Sequence, residues 1–157
     1  MSGTTTFSVE GAEVTVDTTA LFRAWFEKHL AKPAAPAGVQ LPSPRDGEKY
    51  LGSIITPDGR IRHTFLLPCS VKKNWDLAIE WANSIGGDLP DRVEQAMLLA
   101  FMPDEFKEEA YWSNTQHAGY SYYAWGQGFD YGYQSYYSKS AELFARAVRR
   151  EFSPSVI

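Results

Sequence analysis

The chain has 157 residues, of which 44% are apolar and 22% are charged, and its formal net charge is −4. This length favours one compact domain with a real hydrophobic core and argues against a second full domain. The 15 Lys and Arg residues are scattered, and the tightest basic groups, Lys72-Lys73 and Arg146 with Arg149-Arg150, are too small to form a nucleic-acid surface.

The single cysteine and the N-terminal residues bear on the cellular compartment. Because Cys69 stands alone, no intrachain disulfide can form, and the chain does not need an oxidising environment. Residues 1–10 lack the basic and apolar segments of a classical secretion signal, and no apolar run approaches the length of a membrane span. We therefore expect cytoplasmic synthesis and no membrane insertion.

Residues 1–32 predict a hairpin followed by a helix. Apolar residues alternate over residues 7–16 around Glu10-Gly11, which is typical of a hairpin or a bulged strand. One of the polar residues 17–19 can cap the next helix. This helix carries one strongly apolar stripe, which must pack on the main body or on another subunit. The stripe consists of Leu21, Phe22, Trp25, Phe26 and Leu30.

A proline-rich segment divides the chain. Four prolines lie between residues 33 and 47 among small residues, as is typical of a linker. We predict an N-terminal strand-helix extension over residues 1–47 and a ligand-binding domain over residues 48–157. The extension is interpreted as an assembly segment through which a homo-oligomer could form.

Beyond the linker, the pattern predicts a hairpin and then two helices. Residues 50–55 and 61–67 are apolar runs joined by a Pro-Asp-Gly-Arg turn. A helix stripe over residues 75–85 ends at two glycines, which are common at helix C-termini. Asp91 and Glu94 have capping-box spacing for a second helix that ends before the next proline. Its predicted buried stripe consists of Val93, Ala96, Met97, Ala100 and Phe101.

The chain after residue 110 lacks a helical period and predicts short strands. Four glycines divide it into pieces at residues 111–115, 120–125, 129–137 and 143–149. The order of strands, two helices and further strands favours an α+β domain, with the helices packed to one side of an antiparallel sheet.

Tyrosine is concentrated in one segment of the chain. Eight of the nine tyrosines lie between Tyr111 and Tyr137, a segment without Val, Ile or Leu in which Gly, Ser, Gln and Asn intervene. Tyrosine offers a large, stiff contact area with a polar tip at small entropic cost. The alternative is a solvent-facing antiparallel sheet, because strands also favour aromatic residues. We interpret the segment as a recognition surface.

The candidate ligand contacts come from this segment, with aromatic rings supplying contact area and polar side chains fixing orientation. They are Asn114, Gln116, His117, Tyr120, Tyr122, Tyr123, Trp125, Gln127, Asp130, Tyr131, Tyr133, Tyr136 and Tyr137. Strand alternation predicts that Tyr123 and Trp125 share a face, and that Phe129, Tyr131 and Tyr133 share a face of the next strand. Trp75 and Trp112 are predicted to lie in the core. A protein ligand is favoured over a glycan, whose stacking on aromatic rings requires a concave groove.

Several motifs resemble those of one bacterial and phage family. The segments GGDLPDRVEQ at 86–95, YWSNT at 111–115 and RAVRR at 146–150 carry the resemblance, with Ala124-Trp125, Gly132 and Lys139-Ser140 between the last two. Over residues 48–150 the chain resembles the DUF1566, or Lcl-type, branch of the C-type-lectin-like fold. The resemblance implies two helices packed on a twisted antiparallel sheet, whose loops and late strands bind ligands.

The same resemblance implies a phage or prophage-type recognition domain, located in the host-cell cytoplasm or on the virion. Three alternatives stay open: a carbohydrate-binding lectin-like domain, a virion receptor-binding or variable protein, and an intracellular phage inhibitor of a host factor. Calcium-dependent lectins use a Glu-Pro-Asn or Gln-Pro-Asp tripeptide, and this chain has neither. The lone Cys69 also excludes the paired-cysteine chemistry of formylglycine-generating enzymes. No metal or cofactor is predicted.

The chain contains no catalytic pattern. His29, His63 and His117 do not have the spacing of metal ligands. Ser113 and Ser121 are near His117 in sequence but lack a nucleophile elbow and an orienting acid. His63 is expected on an exposed strand. We therefore predict a protein that is not an enzyme.

Overall fold

A computed structural model of the chain describes residues 3–29 and 41–153. The chain divides into two compact units, Met1–Leu41 and Pro42–Ile157, and the boundary predicted from the prolines lies at residue 47. Residues 33–40 of the predicted linker lie outside the described residues, as does Leu30 of the predicted helix stripe.

The first unit contains a hairpin followed by a helix. Strand β1 (Thr4–Val9) pairs antiparallel with β2 (Ala12–Asp17), and α1 spans Thr18–His29. Asp17 Oδ1 accepts hydrogen bonds from the backbone N–H groups of residues 19 and 20, at 2.9 and 3.1 Å. The predicted hairpin and helix cap are confirmed. Among the side chains of α1 that the structure describes, the large apolar ones that are exposed are Leu21, Phe22 and Trp25, whereas the side chain of Phe26 lies outside the described part.

The second unit contains eight strands and two helices within residues 41–153. Its strands are β3 (Lys49–Ile55), β4 (Ile61–Leu66), β5 (Val71–Lys73), β6 (Ala110–Gln116), β7 (Tyr123–Gly128), β8 (Gln134–Ser138), β9 (Leu143–Ala145) and β10 (Val148–Ser153). Its helices are α2 (Trp75–Ser84) and α3 (Arg92–Phe101), and a 3₁₀ turn follows at Pro103–Glu105. The predicted α+β class is confirmed, whereas β5 was not predicted.

The strands of this unit form two sheets. One sheet has the order β10-β4-β3, and the other has the order β5-β9-β6-β7-β8. Pairing is antiparallel except between β6 and β9, where Tyr111 lies beside Phe144 in parallel register. The predicted hairpin over residues 50–67 is confirmed as β3 and β4. The strand predicted at 143–149 is wrong, because the chain leaves one sheet after β9 and enters the other as β10.

Two buried apolar clusters hold the second unit together. The larger one includes α2 and the five-stranded sheet, and the smaller one contains Leu51, Leu66, Leu98 and Val148. Trp75 and Trp112 belong to the larger cluster, as predicted. Their indole N–H groups donate to the backbone oxygens of Ser113 and Lys73, at 2.8 and 2.9 Å. Both rings are therefore buried without leaving their polar atoms unpaired.

Helix α3 begins with the predicted capping box but buries a different face. Asp91 and Glu94 exchange reciprocal side-chain to backbone hydrogen bonds of 2.8 Å. The predicted apolar stripe is wrong, since Val93 is 55% exposed and Phe101 is 70% exposed. The buried side chains of the helix are Glu94, Gln95 and Leu98. Gln95 can be buried because its amide donates to two backbone oxygens of β6, at 3.2 and 2.7 Å.

Strand β10 carries two consecutive arginines that bind carboxylates on opposite faces of the strand. Arg150 donates to both carboxylate oxygens of Glu94, at 2.9 and 2.7 Å, and to Asp88 Oδ2 at 2.7 Å. Arg149 donates to both oxygens of Glu48 at 2.7 Å. Both arginines are therefore engaged in ion pairs inside the fold.

Replacing Glu48 with glutamine is expected to lower the free energy of unfolding near neutral pH by about 1–3 kcal/mol. The hydrogen bonds from Arg149 hold the pKa of Glu48 below its usual value of 4.5. A carboxyl with a lowered folded-state pKa stabilises the fold above pH 4.5, and this contribution is lost as the pH falls through the lowered pKa. Denaturant unfolding should therefore show that the free energy of unfolding of the wild type falls toward that of Glu48→Gln as the pH is lowered below 4.5.

The exposed carboxyl of Glu142 provides the control, because Glu142→Gln removes an acid without removing a buried ion pair. Its free energy of unfolding should stay close to that of the wild type at each pH. A difference between wild type and Glu48→Gln that did not change with pH would contradict the assigned role of the Glu48 carboxylate.

Candidate functional site

Six of the eight clustered tyrosines are exposed. Tyr122, Tyr131 and Tyr133 are exposed most, at 82%, 80% and 73%, and Tyr120, Tyr123 and Tyr136 are exposed to a smaller degree. Tyr111 is only 2% exposed and Tyr137 is half-buried against the larger core cluster. Most of the segment thus presents its phenol rings to solvent, as the composition indicated.

The hairpin of β7 and β8 determines which rings meet. Trp125 lies opposite Tyr136, and Tyr123 lies opposite Ser138, so these side chains occupy one face of the sheet. The predicted shared face of Tyr123 and Trp125 is confirmed. The predicted strand over 129–137 is wrong in its first part, since residues 129–133 form the connection between the two strands. The glycine of this connection, Gly132, has a φ of +79°, which other residues rarely adopt.

An aromatic cluster forms on this face around His117. The imidazole lies nearly parallel to the rings of Trp125 and Tyr120, with centroid distances of 5.5 and 5.1 Å, and meets Tyr136 edge-on at 4.7 Å. Tyr123 and Tyr136 also meet edge-on, at 5.6 Å. Offset parallel and edge-on contacts are the favourable geometries for aromatic pairs. We call the five rings, His117, Tyr120, Tyr123, Trp125 and Tyr136, the aromatic cluster.

Backbone hydrogen bonds position His117 within the aromatic cluster. Its Nδ1 accepts from the N–H groups of Gly119 and Tyr120, at 3.1 and 3.2 Å. The backbone N–H of His117 donates to the backbone oxygen of Tyr123 at 2.9 Å. Because Nδ1 acts as an acceptor, the neutral ring carries its proton on Nε2. The turn between β6 and β7 therefore holds the imidazole in a defined orientation.

Arg92, at the start of α3, covers Trp125. Its guanidinium carbon lies 3.7 Å from the centroid of the indole ring, which is a close cation–π contact. Arg92 Nε also donates to Gln134 Oε1 at 2.8 Å, and Gln134 Nε2 donates to the backbone oxygen of Arg92 at 2.7 Å. These hydrogen bonds join α3 to β8, and the Trp125 ring contacts both Arg92 and His117.

Two clefts lie at the ends of β8. The first, of about 590 Å³, lies between the exposed apolar side of α3 and the β8 end that begins at Gln134. Its apolar walls are Val93, Ala96 and Leu99. The second, of about 520 Å³, lies at the other end and is polar. It is lined by Asn74, Asp76, Ser121, Tyr122, Ser138, Lys139 and Ser140.

Some predicted contact residues have structural partners within the unit. Gln127 is 1% exposed, and its amide donates to the backbone oxygens of Gly128 and Tyr133. Asn114 Nδ2 donates to Asp88 Oδ2 at 3.0 Å, beside the buried Arg150 ion pairs. Gln127 therefore orders the turn that carries Tyr131 and Tyr133 instead of reaching solvent itself.

Gln116 and Asp130 remain at the surface. Gln116 Oε1 accepts from Lys139 Nζ at 2.6 Å, and Asp130 Oδ1 accepts from the N–H of Tyr131 at 2.8 Å.

Arg92, Lys139 and the apolar residues of α3 were not predicted from the sequence as parts of this region. Their roles depend on contacts between residues far apart in the chain, so the local pattern carried no signal for them.

Metal-ligating side chains do not cluster within residues 3–29 and 41–153. These residues contain no group of three or more His, Cys, Asp and Glu side chains that could hold a metal ion. The expectation that His63 is exposed is wrong, since it is fully buried. Burial is possible because Nδ1 pairs with Tyr50 Oη at 2.9 Å and Nε2 pairs with Ser153 Oγ at 3.1 Å.

The helices of the described residues are also too short or too polar to cross a bilayer. In comparisons with known proteins, no protein-family model matches the chain, and no curated protein matches its sequence.

Proposed function

We propose that the second unit is a non-enzymatic recognition domain of phage or prophage type that binds a protein ligand through its tyrosine-rich surface. The observation that supports this best is the outward placement of six tyrosines, of which Tyr122, Tyr131 and Tyr133 are the most exposed. Burial of such rings against a partner lowers the free energy of the complex, and their hydroxyl groups can still form hydrogen bonds.

The arrangement of the rings favours a protein ligand over a glycan. A sugar stacks on an open aromatic face in a concave groove, whereas Trp125 already contacts Arg92 and His117. The most exposed tyrosines lie at opposite ends of the β7–β8 hairpin, with Tyr122 at one end and Tyr131 and Tyr133 at the other. Six strand residues separate the ends by roughly 20 Å. A surface of this breadth suits a protein interface.

The lectin-like fold and the location of the protein belong to the same proposal. Both are supported by the resemblance of residues 48–150 to the DUF1566 family. In the host-cell cytoplasm the domain would dock on a host factor and inhibit it, and on the virion it would bind a receptor. Assembly into a homo-oligomer through the first unit is part of this proposal as well.

A variant with Tyr122, Tyr131 and Tyr133 all replaced by serine is expected to lose its protein ligand while staying folded. Interface tyrosines commonly contribute about 1–2 kcal/mol or more each, so capture should fall at least about tenfold. The full chain can be attached to a support through Cys69, which is exposed. Quantitative capture from bacterial lysates and a glycan array would then be compared for wild type and variant.

The matched control is Ile55→Ser, which removes an apolar side chain that is 66% exposed but lies in the other sheet. This control should retain the proteins that the wild type captures. Equal capture by the triple variant would contradict the proposed surface. A glycan signal that depends on the tyrosines would contradict the choice of a protein ligand and support the lectin-like alternative.

A further inference from the structure

We propose that β8 is a docking edge, to which an extended peptide segment of a partner protein adds as a further strand of the five-stranded sheet. This inference rests on the proposed function and specifies how the partner binds. β8 is the last strand in the order β5-β9-β6-β7-β8, and it pairs only with β7 among the described strands. Its other side is therefore an open edge.

The hydrogen-bond pattern identifies the backbone groups that face this edge. The N–H of Gly128 donates to the oxygen of Tyr133, and the N–H of Lys139 donates to the oxygen of Tyr122. In an antiparallel pair, only alternate residues direct their N–H and C=O groups toward the neighbouring strand. Residues 133, 135, 137 and 139 thus face β7, whereas the backbone groups of Gln134, Tyr136 and Ser138 point outward. The oxygen of Ser138 already accepts from the N–H of Ala141 at 2.9 Å, so Ser138 offers only its N–H to an added strand.

β8 lacks the features that commonly protect an edge strand. Proline, charged side chains and bulges block edge-to-edge pairing in many proteins. The five residues Gln134–Ser138 contain neither proline nor a charge, and their pairing with β7 is regular. The outward groups of Gln134 and Tyr136 are therefore available for the main-chain hydrogen bonds of strand addition.

The clefts at the two ends of β8 define the chemistry of the added segment. Val93, Ala96 and Leu99 line the cleft beside Gln134, so this end fits an apolar side chain. The cleft beside Ser138 is polar and contains Lys139, so that end fits a hydrogen-bonding side chain. Exposed tyrosines border both ends. Alternate side chains in flanking pockets are the usual source of specificity when a peptide adds to a sheet edge.

A second copy of the chain fits this edge less well than a foreign segment. Antiparallel pairing of two β8 strands about Tyr136 would place Gln134 of one copy opposite Ser138 of the other. The polar residues Ser138, Lys139 and Ser140 of the second copy would then lie at the end of β8 that carries the apolar cleft of Val93, Ala96 and Leu99. Polar groups placed against an apolar lining without hydrogen-bond partners are unfavourable. The occupant that we propose is therefore an extended segment of a different protein.

Random peptides of about twelve residues, displayed on phage and selected on the full chain, provide the probe. The most enriched peptide would be synthesised with a methyl group on each backbone nitrogen in turn. Strand addition predicts an alternating result: methylation should weaken binding at least about tenfold at every second residue and have little effect between them. This measurement does not depend on any variant of the protein.

The protein side is tested by Ser138→Pro, which removes an outward N–H, with Ser138→Ala as the matched control that keeps it. Proline is tolerated at edge positions whose N–H faces outward, so both variants should fold. The proline variant should bind the peptide several-fold more weakly than the alanine variant.

Three results would overturn the inference: no enriched peptide, no alternation in the methyl series, or a dimer of the chain that Ser138→Pro dissociates. The outcome also separates the two proposals. If the peptide lost affinity for the triple tyrosine variant but showed no alternation on methylation, ring-mediated recognition would stand and strand addition would fail.

Discussion

Replacing Arg150 with methionine is expected to lower the free energy of unfolding by about 3–5 kcal/mol. The guanidinium donates to both oxygens of Glu94, to Asp88 and to the backbone oxygen of Leu89. The Glu94 side chain is only 1% exposed, so methionine would leave a buried carboxylate without its main cation. An uncompensated buried charge is among the most destabilising changes that one substitution can cause.

Arg60→Met provides the matched control, since Arg60 also binds a carboxylate, that of Asp58, but on the surface. Both side chains of that pair are more than half exposed, and solvent screens such pairs so strongly that they contribute little to stability. Guanidinium unfolding monitored by circular dichroism would compare the two variants. Similar losses of stability would show that burial does not distinguish the two ion pairs.

Replacing Trp112 with alanine is expected to cost about 3–5 kcal/mol. This ring is fully buried in the larger core cluster, and its N–H donates to Lys73 on β5. The substitution would therefore leave a cavity and an unpaired backbone oxygen. Tyr137, whose ring meets Trp112 edge-on at 6.1 Å, would also lose its partner.

Trp125→Ala is the informative comparison because it removes the same side chain from the surface face of the same sheet. This ring is half-buried in the aromatic cluster, and its loss should cost about 1–2 kcal/mol. Urea unfolding of both variants, followed by far-ultraviolet circular dichroism, would measure the difference. Equal losses would contradict the assignment of Trp112 to the core and of Trp125 to the surface.

Elements that depend on neighbouring residues could be predicted from the sequence. The Pro-Asp-Gly-Arg turn predicted the β3–β4 hairpin, and the spacing of Asp91 and Glu94 predicted the start of α3. The paired glycines after α2 likewise indicated where that helix ends. In each case the determining contacts lie within a few positions of one another, so the local pattern contains the necessary information.

Contacts between distant residues could not be predicted in this way. Glu94 is buried because Arg150, 56 positions away in the chain, binds its carboxylate. The buried face of α3 therefore contains Glu94 and differs from the predicted apolar stripe. His63 is buried because Ser153 supplies a partner from 90 positions away. Composition did indicate exposed tyrosines, but Arg92 and the apolar cleft of α3 were absent from the predicted site for the same reason.

The ion pairs of β10 have a consequence for the folding rate. β10 pairs with β4, and Arg150 and Arg149 hold acids from earlier parts of the chain, so the three-stranded sheet closes a loop of about 80 residues. Closure over such a span is slow compared with forming the local hairpins. Until it is complete, β4 is an open edge and the carboxylates of Glu48 and Glu94 lack these cations, which makes the partly folded chain prone to misassembly.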